Sequence, residues 1–308
     1  MEYLKQTKYS YYKQIIVLIV LMITQSCDSQ NKNKEVMNKI YYINYNFSFP
    51  YEIYVNEVLL ERDLLTGRSG PDRLNNYILE SGKQKIKIRV FAPKNYNGGL
   101  LKDKDLIILS EQSALYKVNS DDKSYTLIKR LNFDTITQDV PFYEQEWIFN
   151  ADLPFELEGW KNSKDLSKID QEELQQKVEQ KYKMLYELLN QGKVDEFLKE
   201  IDFSNNEFFK ANYFNDSQKK EYIDNLRKSY LNFKGKMLPF NTGKIQIMGN
   251  GKTVSLRTLT GKYKGLGVLI AEDHEKQNVY FNNVILHIPT GANELKVVRI
   301  NSLGAKLE

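Results

Sequence analysis

Two histidines and one cysteine are the side chains of this 308-residue chain most suited to nucleophilic or acid–base chemistry. His274 lies in the segment "AEDHEK", between Asp273 and Glu275, where a carboxylate could orient it as a general base. The sequence has no G-x-S-x-G nucleophile motif, however, and a turn this rich in charge is usually solvated. His287 lies in the apolar segment "VILHIP", which favours a core histidine or one on the solvent face of a strand. We therefore predict no catalytic histidine.

Motifs for metals and cofactors are missing from the sequence. It contains no H-E-x-x-H pair, no second cysteine, no Walker glycine loop and no G-x-G-x-x-G fingerprint. The segment "GKYKGLG" lacks the strand, loop and helix context of a phosphate-binding loop. Glu172 and Glu173 are adjacent on a predicted helix, so they cannot face each other across a substrate. No cofactor or metal site is expected, while a carboxylate pair formed by tertiary contact stays open.

The only cysteine, Cys27, follows an amino-terminal segment in three parts. Lys5, Lys8 and Lys13 come first, and residues 15–24 follow without a charge. As a helix this uncharged stretch would span roughly 15 Å, half of the roughly 30 Å of a bilayer core. The pattern predicts a signal peptide rather than a permanent membrane span.

The junction "ITQSC" resembles the lipobox of bacterial lipoproteins, whose cysteine is acylated by diacylglycerol and becomes the new amino terminus after cleavage. The resemblance covers residues 1–27. It implies that residues 1–26 are a signal peptide and that Cys27 carries acyl chains such as palmitate. It also implies that the protein is a lipoprotein of the cell envelope, with its folded part in the periplasm or at the cell surface. The alternative is an incidental cysteine at the end of a cleaved signal peptide.

Composition and charge limit the partners. Residues 27–38 are polar and without pattern, and they predict a lipidated tether with a reach of roughly 20 Å. The 44 basic and 40 acidic residues leave a net charge of +4, which is too balanced for a nucleic-acid-binding protein. The expected partners are the membrane, through the amino-terminal lipid, and an envelope protein or a small ligand.

Period-two alternation predicts an all-β antiparallel sandwich over residues 39–158. The segment "YYINYNFSF" places Tyr42, Asn44 and Asn46 on one face of its strand. Further strands are predicted at "YEIYVNEVLLER", "SGKQKIKIRVF", "DLIIL", "SYTLIKRL" and "EQEWIFNA".

Two features of this region are candidates for a binding surface. Lys85, Lys87 and Arg89 point outward from one predicted strand and could meet an anionic partner. The alternatives are a solvated face or a guarded sheet edge. Trp160 lies where the β pattern ends, and we place a domain boundary there, between residues 158 and 162. Its ring could be a ligand platform, or it could pack the junction shut.

Residues 162–308 predict an α+β domain in which helices pack on an antiparallel sheet. The first helix, "DQEELQQKVEQKYKMLYELLNQG", has apolar residues at steps of three and four, with Asp170 as its cap and Gly192 as its stop. Two more helices are predicted at "KVDEFLKEI" and at "SQKKEYIDNLRKSYLNF", the latter capped by Ser217. Five strands follow. The order of elements loosely resembles the NTF2-like and cystatin-like domains, in which a curled sheet wraps a long helix and can enclose a pocket.

The sequence leaves three classes of function open. The first is a lipid-anchored envelope protein that binds or scaffolds, with an unknown ligand. The second is an immunity-type protein that blocks a toxin in the periplasm. The third is an envelope enzyme that uses a carboxylate pair. We expect a protein that is not an enzyme, because no catalytic motif is found.

Overall fold

The computed structural model describes residues 38–64, 69–119 and 122–307. Together these residues form one compact unit with a β-rich α+β fold. The predicted signal peptide, Cys27 and the tether up to Met37 lie outside the described residues. Within the described part of the chain, no helix is both long enough and apolar enough to cross a membrane.

Thirteen strands and five α-helices make up the described chain. The strands are β1 (Lys39–Asn44), β2 (Tyr51–Val55), β3 (Val58–Asp63), β4 (Asp72–Arg73), β5 (Gly82–Phe91), β6 (Ala114–Asn119), β7 (Tyr125–Arg130), β8 (Phe142–Ala151), β9 (Gly243–Met248), β10 (Thr253–Thr258), β11 (Leu269–Asp273), β12 (Asn278–His287) and β13 (Lys296–Lys306). The helices are α1 (Asp103–Glu111), α2 (Gln171–Gln191), α3 (Val194–Glu200), α4 (Asp202–Ala211) and α5 (Asp216–Leu231). Short 3₁₀ turns lie at Asn75–Tyr77 and Leu166–Lys168.

The first eight strands form two antiparallel sheets. The first sheet has the order β4-β1-β6-β7, and the second has the order β3-β2-β5-β8. Their inward residues share one hydrophobic cluster, to which the first sheet contributes Tyr41 and Ile43 and the second contributes Ile53, Ile86 and Ile88. The period-two alternation of β1 and β5 therefore reflects burial on one face of each strand.

The segment "DLIIL" is helical, so the prediction of a strand there was wrong. It lies in α1, where Leu106 and Leu109 are buried three residues apart while Ile107 and Ile108 are about half exposed. The backbone N–H of Lys102 donates to the carboxylate of Asp105 at 2.8 Å, which fixes the start of the helix. A short apolar run fits a strand or a helix equally well by periodicity, and here the cap decides for the helix.

The third sheet and helices α2 to α5 form the carboxyl-terminal half. β12 lies at the centre of the sheet, with β13 along one side and β11 and β10 in succession along the other, and β9 pairs with β10. The buried stripe of α2 packs on this sheet, in one hydrophobic cluster with residues such as Val254 and Leu286. The helices-on-sheet arrangement predicted for this half is therefore present.

The ends of the helices test the predicted caps. The Asp170 carboxylate accepts hydrogen bonds from two backbone N–H groups at the start of α2, and Gly192 ends the helix at a φ of 74°, as predicted. The start predicted for α5 was wrong by two residues, because Asn215 rather than Ser217 is its cap. Helix α4 was not predicted. Its buried residues include Ser204 and Asn205, so it lacks an apolar period.

Tyr182 of α2 enters the third sheet where two strands separate. β10 and β12 are paired at Val254 and Leu286. One step further in this register, Leu256 would face Val284, but the Tyr182 hydroxyl stands between them. It accepts a hydrogen bond from the Leu256 N–H at 3.1 Å and donates one to the Val284 carbonyl oxygen. A helix side chain thus completes the ladder between two strands.

Several contacts join the two halves of the described chain. Arg299 of β13 donates through Nε to the Asn76 carbonyl oxygen of the amino-terminal half at 2.7 Å. The amide of Asn301 donates to the Tyr77 hydroxyl at 2.7 Å. The domain boundary at residues 158–162 stays a prediction. Because these contacts would be lost if the two halves were separated there, unfolding of the separate fragments tests it.

Candidate binding surface

The predicted basic stripe lies on the outward face of the second sheet. Each of its side chains is paired with carboxylates: Lys85 with Glu57 and Glu146, Lys87 with Glu57, and Arg89 with Glu144. Because β5 lies between β2 and β8, the stripe is not a guarded edge. Burial would raise the pKa of Glu57, but hydrogen bonds from the two lysines lower the pKa below its usual value. The stripe is a ladder of ion pairs with little unmatched charge for an anionic partner.

Trp160 lies inside the molecule, with 6% of its surface exposed. Its ring packs on Tyr77, with the ring centroids 6.4 Å apart, and the guanidinium carbon of Arg299 lies 5.3 Å from the ring centroid. These neighbours cover the ring, so it is not placed as a platform for a ligand. Its position agrees with the interpretation that it packs the junction.

A buried network of charges and hydrogen bonds lies between the second and third sheets. Arg62 Nε lies 2.7 Å from Glu52 Oε1, and both side chains are at most 5% exposed. Arg62 also donates to Gln246 Oε1 at 2.8 Å, while the Tyr54 hydroxyl donates to Glu52 at 2.7 Å. Burial raises the pKa of Glu52, but the positive charge of Arg62 and these hydrogen bonds lower it overall. This network is closed from solvent and joins two sheets, which indicates a structural role.

The two histidines have different surroundings. His274 lies in a turn with its side chain 75% exposed, and its Nε2 is 3.2 Å from Glu272 Oε2. Its neighbour Asp273 pairs with Lys236 instead of orienting it. The structure thus brings the Glu272 carboxylate to His274.

His287 is a buried histidine, 3% exposed, whose Nδ1 lies 2.8 Å from the hydroxyl oxygen of Ser163. The ring stacks on Phe203 at a centroid distance of 5.8 Å. Ser163 is itself only 6% exposed, so both members of this pair are buried. His287 is a hydrogen-bonded core residue, one of the two positions expected for it.

A row of half-buried and exposed side chains crosses the outer face of the first sheet. The strand register places Tyr42 opposite both Arg73 and Tyr116, and Tyr116 opposite Leu127. Directly paired residues point to the same face of a sheet, so these four side chains form a line across four strands. We call them the tyrosine row. With strands about 4.8 Å apart, the row is roughly 14 Å long.

The tyrosine row faces outward because the alternate residues of its strands fill the core. Tyr41, Ile43 and Leu115 are all at most 3% exposed, whereas Leu127 is 46% exposed. The Arg73 Nε donates to the Tyr42 hydroxyl at 3.1 Å, and its guanidinium carbon lies 5.9 Å from the centroid of that ring. This contact holds the first ring of the row in place.

A cavity of about 410 Å³ adjoins the row and shares Tyr116 with it. We call it the polar cavity. Its other polar lining residues are Asn44, Asn46, Ser69, Glu111, Gln112, Ser113 and Arg130. Its size falls within the range of roughly 300–1,000 Å³ typical of small-molecule sites.

One wall of the polar cavity depends on a glycine. Ser69 forms an isolated β-bridge with Asn46, just after the end of β1, and Gly70 follows it. A Cβ atom on Gly70 would lie 2.9 Å from the ring of Tyr45 and 3.0 Å from the Ile43 carbonyl oxygen. Only glycine fits this approach, so Gly70 brings the Ser69 segment against β1 and closes that side of the cavity.

Four polar side chains of the cavity have no hydrogen-bond or ion-pair partner among the residues that the structure describes. They are Asn44, Glu111, Gln112 and Arg130. An amide offers donors and an acceptor, a carboxylate accepts and a guanidinium donates. The cavity can therefore exchange hydrogen bonds of both kinds with a ligand, while the half-buried rings of Tyr42 and Tyr116 offer apolar faces. No group of three potential metal-ligating residues occurs in the described ranges.

Part of this surface can be predicted from the sequence. The alternation of "YYINYN" places Tyr42, Asn44 and Asn46 on one face of β1. It does not show that Tyr116 lies beside Tyr42, because β6 is 74 residues further along the chain and its pairing partner is not encoded in the alternation. The sequence therefore predicts the basic stripe and Trp160 as candidates, but it does not predict the tyrosine row.

Comparison with protein-family models, with curated proteins and with solved structures gives no significant match to this chain. The resemblances to a lipobox and to the NTF2-like and cystatin-like domains stay predictions. The function of the surface has to follow from its own residues.

Proposed function

We propose that this chain is a lipid-anchored binding protein of the bacterial cell envelope. The observation that carries the binding role is the polar cavity beside the tyrosine row. It combines half-buried aromatic rings with hydrogen-bonding groups that lack partners among the described residues. The anchor rests on Cys27 and on the signal-peptide pattern before it. The tether of residues 27–38 would let the folded part stand roughly 20 Å from the membrane.

We also propose that the first and second sheets form a β-sandwich, which is the finer version of the predicted fold. Their common hydrophobic cluster supports this. In a sandwich each sheet keeps one outer face. The outer face of the second sheet holds the network that meets the third sheet, whereas the outer face of the first sheet holds the tyrosine row. The row is thus on the face available to a ligand.

The anchor is tested by replacing Cys27 with Ala and the nearby Ser29 with Ala as a control. Two acyl signals are needed for stable membrane binding, at about 0.8 kcal/mol per buried methylene. We expect Cys27→Ala to move the protein from the membrane fraction to a soluble or unprocessed form, and Ser29→Ala to leave it at the membrane. Absence of acyl mass on the amino-terminal peptide of the wild type would contradict the anchor.

The binding role is tested in cells with a photo-crosslinking amino acid at position 116, in the cavity, or at position 206, on the exposed side of α4. We expect a crosslinked product at position 116 and none at position 206. A toxin-blocking protein would give a product with the mass of a second protein. If position 116 gives no product, or the same products as position 206, the binding role of this surface fails.

A further inference from the structure

We infer that the polar cavity and the tyrosine row bind a neutral oligosaccharide. The inference rests on the proposed binding function and names the class of ligand. It depends on three features of the surface: the balance of charge in the cavity, the chemistry of its free side chains, and the direction of the row.

The charge of the cavity favours a neutral ligand. Its lining includes one cation, Arg130, and one anion, Glu111, whose charges cancel. The cation of the row, Arg73, already donates to the Tyr42 hydroxyl and to Asn212. An anionic ligand would require an excess of basic groups, because a buried or half-buried charge needs an opposite charge. A hydrophobic ligand would leave the amides of Asn44 and Gln112 and the two charged groups without partners, which costs free energy.

The free side chains match hydroxyl groups. Each sugar hydroxyl both donates and accepts a hydrogen bond, and each amide in the cavity does the same. The carboxylate of Glu111 can accept from a hydroxyl, and the guanidinium of Arg130 can donate to one. The C–H faces of a sugar ring are apolar and pack well on aromatic rings, which the surface supplies at Tyr116 and Tyr42.

The direction of the row favours an oligosaccharide over a peptide as the ligand. An extended peptide binds a sheet by adding a strand at its edge, where main-chain groups pair along the strand. The tyrosine row runs across the strands, from β4 to β7, so its side chains would meet successive units of a chain laid perpendicular to the strands. Its length of roughly 14 Å exceeds one sugar, so the site would hold several units, with the polar groups of the cavity beside them.

The test uses the mature chain from residue 27 to 308 carrying Cys27→Ala, with calorimetry or NMR titration. The probes are linear neutral oligomers of hexose and of N-acetylhexosamine, from one to six units long, and a polyuronate of equal length as the anionic arm. We expect dissociation constants of about 1 mM or tighter for the neutral oligomers, improving with length until the row is spanned. The polyuronate should bind more weakly.

Matched variants locate the site. Tyr116→Ala and Asn44→Ala should each weaken binding by about tenfold or more, whereas Tyr116→Phe should keep most of it because the ring face remains. Phe142→Ala, which removes a half-exposed aromatic ring of the second sheet, and Asn206→Ala on α4 should change binding by less than about twofold. Unchanged thermal unfolding of each variant shows that the fold is intact.

The inference is overturned if no neutral oligomer binds with a dissociation constant tighter than about 1 mM, or if the polyuronate binds better. It is also overturned if Phe142→Ala weakens binding as much as Tyr116→Ala does. If position 116 crosslinks to a protein and no oligosaccharide binds, the oligosaccharide is refuted as the ligand, whereas the proposed binding role of this surface stands. Failure of both experiments would refute the proposed function as well.

Discussion

The imidazole of His287 lies among groups that oppose its protonation. It is enclosed by the core, accepts or donates one hydrogen bond with Ser163, and has two positive side chains nearby, Arg299 and Lys296. Burial, followed by repulsion from Arg299 and Lys296, lowers the pKa of His287 from its ordinary 6.5 to about 4. The folded protein therefore holds this ring neutral over a pH range in which the unfolded chain would protonate it.

We predict that acid destabilises the protein through His287. Between pH 6.5 and pH 4 the unfolded chain binds a proton at this residue and the folded chain does not. The free energy of unfolding should therefore fall by about 1.4 kcal/mol per pH unit, up to about 3 kcal/mol. His287→Gln should flatten this part of the pH dependence in urea titrations, although it also costs stability at neutral pH by disturbing the core.

His274 is the control for this prediction. Its side chain is 75% exposed, so His274→Gln should keep the pH dependence of the wild type. Parallel curves of unfolding free energy against pH for the wild type and His287→Gln would contradict the assignment. The sequence alone predicts no catalytic role for either histidine, and burial is what distinguishes their effects on stability.

At the scale of the elements, Tyr182 joins helix α2 to two strands at once. Its hydroxyl is buried and bonded to Leu256 and Val284. We predict that Tyr182→Phe lowers the free energy of unfolding by about 1–3 kcal/mol, because it leaves a buried N–H and a buried carbonyl oxygen unpaired. Tyr186→Phe, one turn along the same helix, should cost less than about 0.5 kcal/mol, since that hydroxyl has no bonded partner among the described residues. Equal losses in denaturant titrations would contradict the role of the Tyr182 hydroxyl.

The elements that the sequence predicts well are those with a long apolar period. Helix α2 shows Leu174, Val178 and Tyr182 at regular steps, and all three are buried. Helix α1 offers only a short apolar run, which suits a strand as well as a helix. Helix α4 buries polar side chains such as Glu207, whose partner Arg299 is far away in sequence. Local pattern cannot show such an element, because its burial depends on distant partners.

At the scale of the whole molecule, the two halves share contacts that neither could satisfy alone. Met248, Ile285 and Val298 of the carboxyl-terminal half belong to the hydrophobic cluster of the amino-terminal sheets. The buried ion pair of Arg299 and Glu207 lies beside the junction, and the Gly159 N–H donates to the same carboxylate at 2.9 Å. Removing one partner of such a pair typically costs about 3–5 kcal/mol.

We therefore predict that residues 38–308 unfold in one cooperative transition. The fragments 39–158 and 162–308 should each lose cooperative unfolding. In each fragment, apolar and charged groups that the other half normally buries would be exposed to solvent. Circular dichroism and calorimetry of the two fragments and of their mixture give the measurement. Two fragments that each unfold cooperatively would instead support the domain boundary predicted at residues 158–162.

The candidate site can be predicted only in part from the sequence, because its residues come from distant parts of the chain. The alternation in β1 predicts which of its residues share a face, and the structure agrees for Tyr42 and Asn44. The cavity also needs Arg130 from β7 and Ser69 from a loop, which come together only through strand register and the approach of Gly70. Register between distant strands depends on the assembled core and cannot be read from one strand.

The position of the Tyr182 hydroxyl between β10 and β12 has a consequence for the order in which this half of the protein assembles. Leu256 lies 74 residues after Tyr182, and Val284 lies 102 residues after it. The two strands can meet at Val254 and Leu286 by themselves, but their next link does not exist until the helix has docked. Closing so long a loop is slow, so the pairing of β10 with β12 beyond Val254 and Leu286 is a late step of folding. The exchange of the Leu256 amide hydrogen with solvent would follow the undocking of a helix, although the amide belongs to a strand.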